Sequence, residues 1–164
     1  MIETEAKIRL DESEFQDLYK RFGSPDFVLQ RNWGYFTSNG YVRVREEDGK
    51  KYITLKEKID GSDISREEIE FEISDSYLAR EMFKGLGLLE EYYYEKKRAS
   101  INKSDCVVCL DRITKIGDFV EVEGKEKDIT LVLKEFGLSN KSFERRSYFE
   151  MVRGGTVSID SIFG

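Results

Sequence analysis

Segment after segment of this sequence carries apolar residues on one parity and ionisable residues on the other. The first ten residues, MIETEAKIRL, set the pattern: Ile2, Ala6, Ile8 and Leu10 fall on one side, and Glu3, Glu5, Lys7 and Arg9 on the other. Side chains of a β-strand alternate between its faces, so each such segment builds a strand with one apolar and one charged face. Val42 and Val44 alternate with Arg43 and Arg45, and Ile53 and Leu55 with Thr54, Lys56 and Lys58. Ile69, Phe71 and Ile73 oppose Arg66, Glu68, Glu70 and Glu72. Tyr94, Lys96 and Arg98 share a parity, as do Cys109 and Asp111, while Val120 and Val122 alternate with Glu121 and Glu123.

The alternation predicts strands near 1–10, 27–37, 41–47, 51–59, 65–74, 90–101, 106–113 and 118–124, parted by turn-forming stretches such as SNG, EDG and NKSD. That spacing describes an antiparallel meander of about eight strands, enough to close a barrel. Helical spacing of apolar residues predicts helices over 12–22, 75–86 and 126–136. They end in KRFG, KGLG and KEFG, where a glycine takes the left-handed position after the cap and a last-turn lysine complements the helix dipole. Residues 145–153 fit a short helix or strand, and 154–164 a loose tail or docking strand. No linker marks a second domain, so the expectation is one domain over 1–153 with a tail over 154–164.

A solvated sheet face explains the charged side of any one strand. The helices change the weighing, because three amphipathic helices need apolar surface to cover. If they pack outside a barrel, the apolar faces point outward and the charged faces into the lumen, the inverse of an ordinary small barrel. The fold class expected is therefore α+β: a closed eight-stranded antiparallel barrel with a charged interior and external helices. Buried charges cost several kcal/mol each unless they are paired, hydrated or occupied by ions. Acids and bases nearly balance, which permits mutual pairing, yet the signs segregate: Glu3/Glu5 and Glu121/Glu123 are acidic, whereas Arg43/Arg45, Lys56/Lys58 and Lys96/Arg98 are basic. Clustered carboxylates without histidine suit Mg²⁺ or Mn²⁺. Clustered Lys and Arg suit phosphate oxygens. A metal-bound polyphosphate needs both.

Composition excludes other chemistries. Histidine is absent, which removes Ser-His-Asp triads and imidazole metal ligands. Cys106 and Cys109 lack the second pair of ligands that structural zinc requires, and their spacing on a strand puts them on opposite faces, so packing is the expected role. The net charge of −6 argues against nucleic-acid binding. No apolar run or leader suggests a membrane or export, so a cytoplasmic protein is expected.

These residues also carry a family resemblance. Glu3-x-Glu5-x-Lys7 resembles the E-x-E-x-K signature of CYTH proteins, the triphosphate tunnel metalloenzymes. YVRVR is similar to the family's L-R-I-R strand, YITLKEK to L-T-x-K, and SREEIEFEI to R-E-E-x-E-x-x-V. YEKKR resembles K-x-R, CLDRITKIGDFVEVE resembles D-x-(6)-G-x-F-x-E-x-E, and RRSYFEM resembles S-Y-x-E-L. The order holds from residue 1 to about 152. One stretch departs: where the family has Q-x-D-x-Y-F, this chain has QRNWGYF, with Trp33 aligned on the Asp and core packing its expected role.

The resemblance implies an eight-stranded tunnel and metal-dependent chemistry on a small-molecule triphosphate. It implies that Glu3, Glu5, Asp111, Glu121 and Glu123 hold Mg²⁺ or Mn²⁺. Lys7, Arg43, Arg45, Lys56, Lys96 and Arg98, joined by Arg66, would grip the triphosphate. Lys7, Lys56 and Glu5 would carry the catalysis, and Glu68 and Glu70 would orient bases or touch a second metal. Lys58, Arg9 and Arg145 or Arg146 fit surface solvation as well as function. Water attacking the terminal phosphoryl makes a triphosphatase; a ribose 3′-hydroxyl attacking the α-phosphoryl makes a class IV adenylyl cyclase. Hydrolysis is preferred because it needs no nucleobase pocket. A non-catalytic nucleotide or polyphosphate binder and a barrel RNA binder remain as rivals. The joint presence of the acidic set disfavours the first, and net charge disfavours the second.

Overall fold

The computed structural model describes residues 1–154. Its strands are β1 (Ile2–Leu10), β2 (Val28–Phe36), β3 (Gly40–Glu47), β4 (Lys50–Lys58), β5 (Ser65–Ile73), β6 (Tyr92–Lys103), β7 (Cys106–Ile113) and β8 (Gly117–Glu123). Its helices are α1 (Glu12–Arg21), α2 (Ser76–Gly85), α3 (Glu126–Glu135) and α4 (Tyr148–Gly154). The strands close an antiparallel barrel in the order β1-β5-β4-β3-β2-β6-β7-β8, with β8 returning to β1. Gly154 ends α4, and the rest of the expected tail lies outside the described residues.

The turns follow from the residues placed in them. Asp48 and Gly49 take positive φ between β3 and β4, as do Ser104 and Asp105 between β6 and β7, the twist a tight hairpin requires. Gly23, Gly87 and Gly137 all take positive φ after their helices, so the shared ending is a capping device. Asp75 caps α2 by accepting from the Leu78 amide at 2.9 Å.

Packing confirms the inversion. Ala6, Ile8, Leu10, Val108, Leu110, Val120 and Val122 point out from β1, β7 and β8 into a core shared with Phe15 and Leu18 of α1 and Ile129, Val132 and Leu133 of α3. Val42 and Val44 of β3 meet Ala79 and Phe83 of α2 in a second core. Trp33 joins that outer core, tilted on Tyr93 at 5.2 Å and covered by the Arg80 guanidinium at 4.6 Å. The inner-face residue of this stretch is Asn32. Gln30, on the same parity, lines the cavity, while Trp33 takes the expected core role.

A third core lies at one end of the lumen. Tyr94, Ile113 and Phe119 point inward and meet Tyr148, Phe149, Met151 and Val152 of α4. Gly34 on β2 makes room for this plug: a Cβ there would sit 2.4–2.6 Å from three atoms of the Phe149 ring. The ring is buried among Tyr41 and Tyr94 and cannot swing away cheaply. Gly34→Ala is expected to cost about 1–3 kcal/mol, as other overpacked cores do. Urea unfolding checks it, and an unchanged midpoint would mean that α4 floats on the barrel.

Candidate functional site

The inward faces enclose a cavity of about 860 Å³. Barrel order explains its charge pattern. Strands β8 and β1 are neighbours and bring Glu121 and Glu123 beside Glu3, Glu5 and Lys7. The opposite wall runs β4-β3-β2-β6 and carries Lys56, Arg43, Arg45, Lys96 and Arg98 around the neutral Gln30 and Asn32 of β2. Sign segregation along the sequence thus becomes segregation across a lumen.

The expected triphosphate-gripping residues, Lys7, Arg43, Arg45, Lys56, Arg66, Lys96 and Arg98, all line this cavity, as do Glu3, Glu5, Glu68, Glu70, Glu121 and Glu123. The mutual pairing that near-balanced charge permits is present, and the cage neutralises itself. Lys56 donates to Glu3 and lies 3.3 Å from Glu68. Burial opposes its charge, but Tyr41, Glu5 and Glu3 outweigh this and hold its ammonium well above the ordinary lysine value. Lys7 is 3.8 Å from Glu5 and 3.9 Å from Glu121. These two carboxylates overcome burial and keep Lys7 protonated. Glu70 accepts from Thr54 at 2.6 Å and faces Arg43 at 3.4 Å and Arg45 at 3.5 Å. Burial opposes its charge, yet that hydrogen bond and the two arginines leave its carboxyl below the usual range.

Asp111 sits differently from the other acids. It has no exposed surface and does not line the cavity. Arg98 grips it at 2.6 and 2.5 Å, Lys96 donates at 3.1 Å, and the Tyr148 hydroxyl donates at 2.9 Å. Its lone pairs are committed to Arg98, Lys96 and Tyr148, which makes it an anchor beneath two bases. Glu121 is also held by Arg98. Despite burial, Arg98 and Lys96 keep its carboxyl well below the ordinary range. Lys96 goes the other way: burial and then Arg98 push its ammonium down to about 8, against the pull of Asp111.

The acidic wall is Glu3, Glu5 and Glu123, of which Glu3 pairs with Lys56 and Glu5 lies 3.8 Å from Lys7. Glu5 and Glu123 are directly opposed across β1 and β8, a like-charge pair that destabilises a sheet. Burial, then Glu3 and Glu5, push the Glu123 carboxyl up to about 7. Among the described residues no three acidic or cysteine side chains already form a metal cage. The mutual repulsion of these three carboxylates, all oxygen donors, nevertheless fits a hard divalent cation.

Of the remaining cations, Lys58 and Arg145 also line the cavity, whereas Arg9 and Arg146 do not. Arg9 lies over Phe119 and donates to the Ile116 carbonyl at 2.8 Å. Lys58 is exposed and 3.9 Å from Glu150, Arg145 pairs with Asp63, and Arg146 with Glu144 at 2.9 Å. Cys109 faces the lumen and Cys106 the outer core, both as free thiols. Three contributors escaped the charge pattern. Gln30 Oε1 and both polar atoms of the Asn32 side chain are buried without a protein partner, as are the Arg43 and Arg45 Nε atoms. Parity alone reveals Gln30 and Asn32. Tyr148 arrives from a helix and left no alternation to read.

The fold and the site together define a closed barrel with outward-facing cores and an ion-paired lumen lined by both signs of charge. The CYTH domain family model matches residues 1–148, and the chain belongs to that family. It is 30% identical to the Methanocaldococcus jannaschii protein named "Putative adenylate cyclase MJ0240", over 92% of this chain and 98% of that one. The solved PH1012 protein of Pyrococcus horikoshii is 29% identical, with a TM-score of 0.80 over 91% of this chain and 98% of that one. HpAC1 from Hippeastrum, described as having a dominant triphosphatase activity, shares the fold at 20% identity and a TM-score of 0.67, over 96% and 97% of the two chains. Among the described residues no helix is long and apolar enough to cross a membrane.

Proposed function

We propose that the protein is a divalent-cation-dependent enzyme that hydrolyses the terminal phosphoanhydride of a triphosphate bound in the lumen. One observation carries this: Lys7, Arg43, Arg45, Lys56, Lys96 and Arg98 line one cavity together with the repelling carboxylates Glu3, Glu5 and Glu123. Those three acids would hold Mg²⁺ or Mn²⁺, which supplies charge neutralisation at the phosphoryl oxygens.

The chain's own residues do the rest. Arg43, Arg45 and Arg98 present planar donors to the phosphates, and Lys7 and Lys56, held protonated, add fixed positive charge. Phosphoryl transfer asks mainly for such positioning and charge. Lys96 is the lysine whose neutral form is within reach near pH 7, because its ammonium is depressed to about 8. Its Nζ takes the proton of the attacking water, a role Lys7 and Lys56 cannot fill. Glu68 and Glu70 hold Lys56, Arg43 and Arg45 in place.

A second reading is a class IV adenylyl cyclase, favoured by the name of the 30%-identical Methanocaldococcus relative. The test is turnover of inorganic triphosphate, thiamine triphosphate and ATP with Mg²⁺ or Mn²⁺, with products resolved. Orthophosphate is expected. Cyclic AMP with pyrophosphate would establish the cyclase, and tight binding without turnover would leave a nucleotide or polyphosphate binder.

A further inference from the structure

We infer that Tyr148 of the C-terminal helix is a positioning residue that sets Lys7 and Lys96 for the triphosphate, an inference that rests on the reading above. Its ring lies 4.4 Å below the Lys7 ammonium and 4.9 Å below that of Lys96. Its hydroxyl donates to Asp111, which in turn holds Lys96 and Arg98. One side chain from outside the barrel thus touches two phosphate-facing cations and the anchor of a third.

The segment before it reinforces the clamp on Lys7. The Glu144 amide donates to the Lys7 carbonyl at 2.7 Å, and Lys7 Nζ donates to the Arg146 carbonyl at 3.1 Å. Lys7 is therefore fixed at its backbone, its ammonium and its underside by residues 144–148.

Tyr148 is itself placed by a capping box. The Glu150 amide donates to Ser147 Oγ at 3.1 Å, and the Ser147 amide donates to Glu150 Oε2 at 2.7 Å. This fixes the first turn of α4 and aims its first residue into the lumen. Tyr94 at 5.5 Å and Phe119 at 5.2 Å hold the ring edge-on. The S-Y-x-E stretch thus combines a cap, Ser147 and Glu150, with the residue it aims.

Two variants separate positioning from simple plugging. Tyr148→Phe keeps the ring under the lysines and removes the hydroxyl from Asp111. Its KM for inorganic triphosphate should rise about tenfold, the low end of the scale for one hydrogen bond to a charged group. Tyr148→Leu removes both contacts, and KM should rise about thirtyfold, with a smaller change in kcat, as two desolvated cation–π contacts and one hydrogen bond are lost. Calorimetric binding of inorganic triphosphate should follow the same order, with thermal melts recorded in parallel. Lower melting temperatures with KM and binding within twofold of wild type would make Tyr148 a plug and overturn the inference. Where Tyr148→Leu does not fold, Tyr148→Phe decides by the same criterion. A wild-type protein that binds no triphosphate would overturn the functional reading and this inference together; binding that is unchanged in the variants would overturn this inference alone.

Discussion

Asp111→Ala is expected to destabilise the protein by about 3–5 kcal/mol, the scale set by removing one partner from a buried ion pair. The loss should appear with no metal or triphosphate in solution. Lys96 and Arg98 both lean on this carboxylate, and the Tyr148 hydroxyl donates to it at 2.9 Å. Without Asp111, two buried cations face each other, and burial already depresses Lys96. Asp111→Asn should fall between the two, since its carbonyl oxygen still accepts from Tyr148 while its amide opposes the bases. Urea unfolding in EDTA measures both. A metal ligand behaves oppositely, because removing one relieves repulsion in the metal-free protein. Metal-free stability equal to wild type would show that Asp111 anchors nothing and would favour its expected place in the metal set.

Asp111 also marks where sequence reading stops. Its inward direction was legible from parity with Cys109, as were the inward faces of β1, β3, β4, β5, β6 and β8. Alternation separates the two faces and the helices choose the outward one, although Ile69 and Phe71 of β5 stay exposed on that side. Partnership is another matter. Lys56 and Glu3 lie 53 positions apart, and no local pattern says which acid meets which base across a lumen. Barrel closure decides that, by placing β5 between β1 and β4. In β2 the inward Gln30 and Asn32 carry no charge, so a reading of charged faces passed over them. Tyr148 was hidden for a different reason: a seven-residue helix is too short to show a period.

The carboxylate wall predicts a gain where the anchor predicts a loss. Glu123→Gln is expected to stabilise the cation-free protein above pH 7 and to cut turnover a hundredfold or more, about 2.7 kcal/mol of barrel-bound transition state. The sign follows from the raised carboxyl, which titrates about 7 in the fold against 4.5 otherwise. Between those values the folded protein keeps a proton that the unfolded chain releases, so stability falls as pH rises through this window. Above it Glu123 is charged against Glu3 and Glu5, and Gln removes that cost; below 4.5 the variant has no advantage. Glu123 is exposed enough for water to screen it, which holds the gain to about 1 kcal/mol. Cations act on the same repulsion. Mn²⁺ at a hundred times its Kd should stabilise wild type by about 2.7 kcal/mol, and the variant should lose most of that response. Melting curves at pH 5 and 8, with EDTA or Mn²⁺, read both effects without any substrate. A variant that melts lower than wild type at pH 8 in EDTA, or keeps the full Mn²⁺ response, would show that these carboxylates do not repel into a cation site, because relief of repulsion and capture of a cation draw on the same charge.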